Sequence, residues 1–119
     1  MKIFIPISAG ELLDKITILE IKIKHTNNSS IHEELNDLVE IAKQNQIYDE
    51  NDIIDLKHIN LKLWETEDQL RELEKRKDFS SFFIECARNV YILNDRRSQI
   101  KKEINRKTNS YYKEVKCYV

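Results

Sequence analysis

The chain has 119 residues, 40% of them hydrophobic and 34% charged, with one glycine and one proline. That composition excludes a disordered chain or a glycine-rich sandwich and describes one domain built of long helices around a modest core. The net charge of −1 is uneven: residues 29–74 hold 13 acids and 4 bases, residues 75–119 hold 12 bases and 5 acids, so the two halves are expected to attract one another.

Cys86 and Cys117 have no paired or regular spacing, which suits unpaired thiols in a reducing compartment. The opening MKIFIPISAG lacks a long apolar region, and no stretch approaches the roughly 18 apolar residues of a membrane span. A soluble, cytoplasmic protein with no membrane partner is expected.

Lys2–Ile7 alternates Ile3, Ile5 and Ile7 against Lys2, Phe4 and Pro6, a period of two that predicts a short edge strand. Ser8 and Glu11 match a capping box that opens a first helix with Leu12, Leu13, Ile16, Leu19 and Ile23 on one face, interrupted by Glu20. Ser30 and Glu33 open a second helix, Ile31–Gln44, with an acidic outer side. Asp52 is read as the cap of a third helix running to about Lys77, whose stripe Leu56, Ile59, Leu63, Thr66, Leu70, Leu73, apolar apart from Thr66, faces the core. A fourth helix follows the turn at Asp78–Ser81 and reaches Thr108, its apolar stripe broken at Asn94, Arg97 and Lys101. The tail alternates again, with Tyr111, Val115, Cys117 and Val119 on one side. The expected fold is therefore mainly α: an antiparallel up-and-down bundle of three to four helices, closed by a two-stranded β-ribbon of the two chain ends.

Counting heights along the helices at about 1.5 Å per residue puts Glu20, Trp64–Arg71 and Asn94–Lys101 in one layer. The candidate polar cluster is thus Glu20, Trp64, Glu67, Asp68, Arg71, Asn94, Arg97 and Lys101. A charge on an apolar face is costly unless paired, so the bland reading is a neutralised network that fixes helix register. The sharper one takes Glu20, Glu67 and Asp68 as ligands of Mg²⁺, with the bases holding phosphate oxygens. Glu11/Asp14 and Glu65/Asp68 also have the i,i+3 spacing of metal-binding carboxylates in all-α nucleoside-triphosphate pyrophosphohydrolases. The capping box already accounts for Glu11, however, and no second-helix ExxE faces the core.

Other chemistry finds little support. His25, His32 and His58 lack a metal-ligand spacing, and one glycine rules out a P-loop or a dinucleotide fingerprint. The basic run Arg96, Arg97, Lys101, Lys102, Arg106, Lys107 is interrupted by Asp95 and Glu103, which argues against nucleic acid. Trp64 is most simply an anchor in a core or an interface.

PISAGELLDKITILEIK, LWETEDQLR, FIECARNVYILNDRRSQIKKEIN and the closing EVKCY together resemble an uncharacterised family of small bacterial and phage-associated proteins. Some of its members are fused to, or encoded beside, glycosyltransferases. The resemblance covers nearly the whole chain and places emphasis on Asp14, Lys15, Glu20 and Lys22, on Trp64, Glu67, Asp68 and Arg71, and on Asn94, Arg97 and Lys101. The chain is read as a binding or accessory module with a protein partner or a small phosphate-containing ligand, no cofactor, and a homodimer left open; the resemblance adds the link to surface-polysaccharide pathways. The alternative is a Mg²⁺-dependent enzyme acting on a nucleotide or nucleotide-sugar.

Overall fold

The computed structural model describes residues 1–117 and contains four helices, α1 (Ala9–Lys22), α2 (Ser29–Gln44), α3 (Glu50–Lys75) and α4 (Ser81–Lys107). Ser8 caps α1, its hydroxyl accepting from the Glu11 N–H at 3.1 Å, but the Glu11 carboxylate turns away to Lys101. Asn28 caps α2 by accepting from the Ser30 N–H. Asp49, rather than Asp52, caps α3. That leaves Asp52 in the first turn, buried and paired with Lys107 of α4. Among the pairs between helices, this one joins the acidic middle of the chain to its basic end; the carboxylates of α2 face solvent.

The shortest helix is the hub. The backbone of α1 packs against all three other helices, α3 and α4 form a hairpin, and α2 lies on α1 alone. Leu12, Leu13 and Ile16 of α1 form the main core with Ala42, Ile53, Leu56 and Ile104, and Leu35, Leu38 and Val39 of α2 close over it. A smaller cluster, Ile59, Leu63 and Leu93, continues up the α3–α4 seam. At about 1.5 Å per residue α1 is some 21 Å long and α3 some 39 Å. The upper half of the α3–α4 hairpin therefore projects beyond α1 as a two-helix arm. From Thr66 to the end of α3 only Leu73 is fully buried, and over the first three turns of α4 only Cys86.

The predicted β-ribbon is absent: among the described residues there is no strand. The two chain ends are held on different helices. Lys2 pairs with Asp37 of α2, leaving Ile3, Phe4 and Ile5 exposed, whereas Glu114 and Lys116 of the tail pair with Lys101 and Asp95 of α4. A two-stranded ribbon is marginal by itself, so these side-chain anchors prevail over alternation. Val119 lies outside the described residues.

Three helices end on a non-glycine residue with positive φ, Gln46, Lys77 and Asn109. In each case the next N–H bonds back to a carbonyl in the last turn, Ile47 to Ala42, Asp78 to Leu73 and Ser110 to Asn105. At Asn109 this reversal sends the tail back along α4. There the Ser110 hydroxyl accepts from the Ala9 N–H at 3.1 Å.

Candidate functional site

The lower half of the α1–α4 interface is polar where a core would be apolar. Its closest approach is at Gly10, whose N–H donates to Asn105 Oδ1 at 2.7 Å. One turn on, Asp14 is completely buried, 0% exposed. Its carboxylate accepts from Arg97 Nε at 2.9 Å and from Arg97 Nη2, a two-pronged clamp, and Oδ1 also accepts from Asn60 Nδ2 of α3 at 2.9 Å. Asn60 donates to the Thr17 hydroxyl as well, at 2.8 Å. One carboxylate thereby ties α1, α3 and α4 together. The hydrogen bond to Asp14 raises the Arg97 guanidinium further above its ordinary pKa, against the opposing effect of its burial.

Lys101, one turn along α4, is 8% exposed and lies between two carboxylates, Glu11 at 2.7 Å and Glu114 at 3.3 Å. Burial alone lowers its pKa; the hydrogen bond to Glu11 and the charges of Glu11, Asp14 and Glu114 outweigh it, so the net direction is upward from 10.5. A raised lysine stabilises the fold fully below its unfolded pKa and loses that contribution as pH rises through the folded value. Stability measured by urea denaturation is thus expected to fall above about pH 10.5, and the fall should be shallower in Lys101→Met. Equal slopes in the two proteins would show that Lys101 contributes nothing.

Between this face of α4 and the returning tail is a cavity of about 360 Å³ lined by Asn94, Arg97, Ser98, Lys101, Glu114 and Lys116. Ser98 is 5% exposed, and its hydroxyl has no hydrogen-bond partner among the described residues. A buried hydroxyl left unmet costs about 1–3 kcal/mol; Asn105 Nδ2, at the Gly10 contact and away from the cavity, is unmet in the same way. Asn94 is half-buried and makes no side-chain hydrogen bond among the described residues, and Arg97 Nη1 is left over from the Asp14 clamp. Donors thus converge from three consecutive turns of one helix. Larger depressions lie against α2 (about 630 Å³) and beside α3 and α4 (about 730 Å³), but no buried polar side chain lines them.

A family model matches residues 1–119. The chain belongs to DUF6165, a family of unknown function. No curated protein and no solved structure matches it significantly.

In this DUF6165 chain, Asn94, Arg97 and Lys101 come together at the cavity. The other residues of the expected layer lie elsewhere. Glu20 pairs with Lys57 at 3.0 Å. Trp64 is half-buried at the upper end of α1, its ring stacked on His25 with centroids 4.9 Å apart. Glu67, Asp68 and Arg71 are exposed on the arm, where Asp68 and Arg71 are neighbours at 3.9 Å. The physical reason is length: α1 ends before it can cover them. Glu20, Glu67 and Asp68 therefore do not converge, and among the described residues no three His, Cys, Asp or Glu side chains are grouped as metal donors. No helix of the described chain is long and apolar enough to cross a membrane.

The acids that meet Arg97 and Lys101 are Asp14 and Glu11, read from the sequence as a pair with metal-ligand spacing whose Glu11 is explained as a cap, with Asp14 also among the positions the resemblance emphasises. A signal for them was present. Asp14 follows Leu13 and precedes Ile16 and Thr17, on the buried side of α1, and Gly10 marks the place where another backbone comes close.

Proposed function

We propose that this protein is a small cytoplasmic binding or accessory module whose ligand site is the cavity between α4 and the C-terminal tail. The observation that carries this reading is the unpartnered, buried Ser98 hydroxyl beside Asn94, Arg97 and Lys101. These groups offer hydrogen bonds to a small polar ligand, and rigid ion pairs behind them hold their positions. The lining lysines and Arg97 are engaged by carboxylates, and no His or Cys lies beside the Ser98 hydroxyl in the cavity lining among the described residues, which favours binding over turnover. A link to surface-polysaccharide assembly rests on the resemblance alone and sets which ligands to try first.

A calorimetric and thermal-shift titration with neutral sugars, sugar phosphates, nucleotides and nucleotide-sugars, with and without Mg²⁺, tests the reading. Asn94 makes no side-chain hydrogen bond among the described residues, so Asn94→Leu is expected to leave the melting temperature of the free protein nearly unchanged while filling the cavity. A ligand that stabilises the wild type should lose at least tenfold in affinity in this variant, the equivalent of about 1.4 kcal/mol. Mg²⁺-dependent release of phosphate from any of these compounds, or binding indifferent to Asn94→Leu, would overturn the proposal.

A further inference from the structure

The charges around the cavity are not those of an open anion site. The cavity is lined by Arg97, Lys101 and Lys116 and by one carboxylate, Glu114, and each cation already has a carboxylate partner among the described residues: Asp14 for Arg97, Glu11 and Glu114 for Lys101, Asp95 for Lys116. A phosphate entering this ring of paired charges with every carboxylate in place finds each cation engaged and the Glu114 carboxylate beside it, and a partly buried charge interacts far more strongly than an exposed one. Of the four carboxylates, three are on helices. Asp14 is locked by Arg97 and Asn60, Glu11 is in the first turn of α1, and Asp95 is within α4. Glu114 alone is on the non-helical tail, and its contact with Lys101 is the longer of the two that Lys101 makes.

We infer that Glu114 holds the place of a ligand phosphate: a phosphate-bearing, hydroxylated small molecule of about one sugar ring enters by exchanging its phosphate for the Glu114 carboxylate at Lys101, the Glu114 side chain turning out to solvent while Lys116 stays on Asp95. This rests on the cavity being the ligand site. The exchange removes one negative charge from the ring as the ligand brings its own, and Lys101 never goes unpaired. Arg97 Nη1, the Ser98 hydroxyl and Lys101 supply donors to the phosphate oxygens, and the Asn94 amide is placed for a ring hydroxyl. Size and lining narrow the class further. About 360 Å³ is near the lower end of small-molecule sites, which run from roughly 300 to 1,000 Å³. Among the described residues no aromatic side chain lines the cavity, so none of them offers a nucleobase a stacking surface.

The test is calorimetry of the full chain with inorganic phosphate, glucose 1-phosphate, ribose 5-phosphate, AMP and glucose, in the wild type and in Glu114→Gln. Removing the competing carboxylate should tighten phosphate and sugar-phosphate binding about tenfold, leave glucose unchanged, and give AMP no advantage over ribose 5-phosphate. Sugar phosphates that bind both proteins equally would overturn the exchange while leaving the cavity as the ligand site. Glucose binding as tightly as its phosphate would overturn the ligand class, and no binding by any compound would overturn the site itself.

Discussion

Arg97→Ala is expected to destabilise the protein by about 3–5 kcal/mol, the cost of leaving a buried charge without its partner. Asp14 has no exposed surface and keeps only the Asn60 amide once the guanidinium is gone. The reverse deletion is not equivalent. In Asp14→Ala the Arg97 side chain, already 26% exposed, can turn its charge to solvent, and Asn60 retains Thr17. The loss should then be smaller, about 1–3 kcal/mol for hydrogen-bonding groups left unmet. Asp68→Ala is the control. Its pairing with Arg71 is exposed on the arm, and such pairs contribute about 0–1 kcal/mol. Urea denaturation of the three variants decides the matter, and the double variant Asp14→Leu/Arg97→Met should recover most of the stability if the cost is an orphaned charge. A loss below 1 kcal/mol in Arg97→Ala, or losses alike in Arg97→Ala and Asp68→Ala, would remove Asp14 from the centre of the structure.

Much of the fold was legible because it follows from local rules. Periodicity located all four helices, and the Ser8 hydroxyl does cap the first of them. The ribbon was read from alternation in both ends, but alternation states only that a segment is extended; what it pairs with is decided by tertiary contacts, here Asp37 for one end and Lys101 with Asp95 for the other. The candidate layer was partly legible for a related reason. Asn94, Arg97 and Lys101 interrupt an apolar stripe, and a polar residue in such a stripe has to find a partner. Which partner depends on the relative heights of the helices, and counting set Asn94–Lys101 too high. The lower ends of α1, α3 and α4 lie together, Gly10 beside Asn105 and Asp52 beside Lys107, so Lys101 and Arg97 sit only about one and two turns above them. Lys101 therefore meets Glu11 and Arg97 meets Asp14, while Glu20 has passed beyond them and pairs with Lys57.

The residue that sets this register is the chain's one glycine, and Gly10→Ala should cost about 1–3 kcal/mol, the range for overpacking a filled interface. On helix propensity alone the change would be favourable by about 0.8–1 kcal/mol, so the sign itself is informative. A Cβ at position 10 would lie 2.7 Å from the Lys101 carbonyl oxygen, 3.0 Å from Asn105 Oδ1 and 3.1 Å from the Lys101 Cα. Two of these are backbone atoms of α4 and cannot rotate aside, so the helices have to part. Parting them at Gly10 lengthens the Gly10–Asn105 hydrogen bond and draws Glu11 from Lys101, which is also where the tail docks through Glu114. The substitution is thus expected to lower the melting temperature and, in the same protein, to weaken ligand binding at a cavity it does not touch. A more stable Gly10→Ala protein would mean that α1 and α4 are not in this register. A destabilised one with full ligand affinity would mean that the register holds the fold together but does not shape the site.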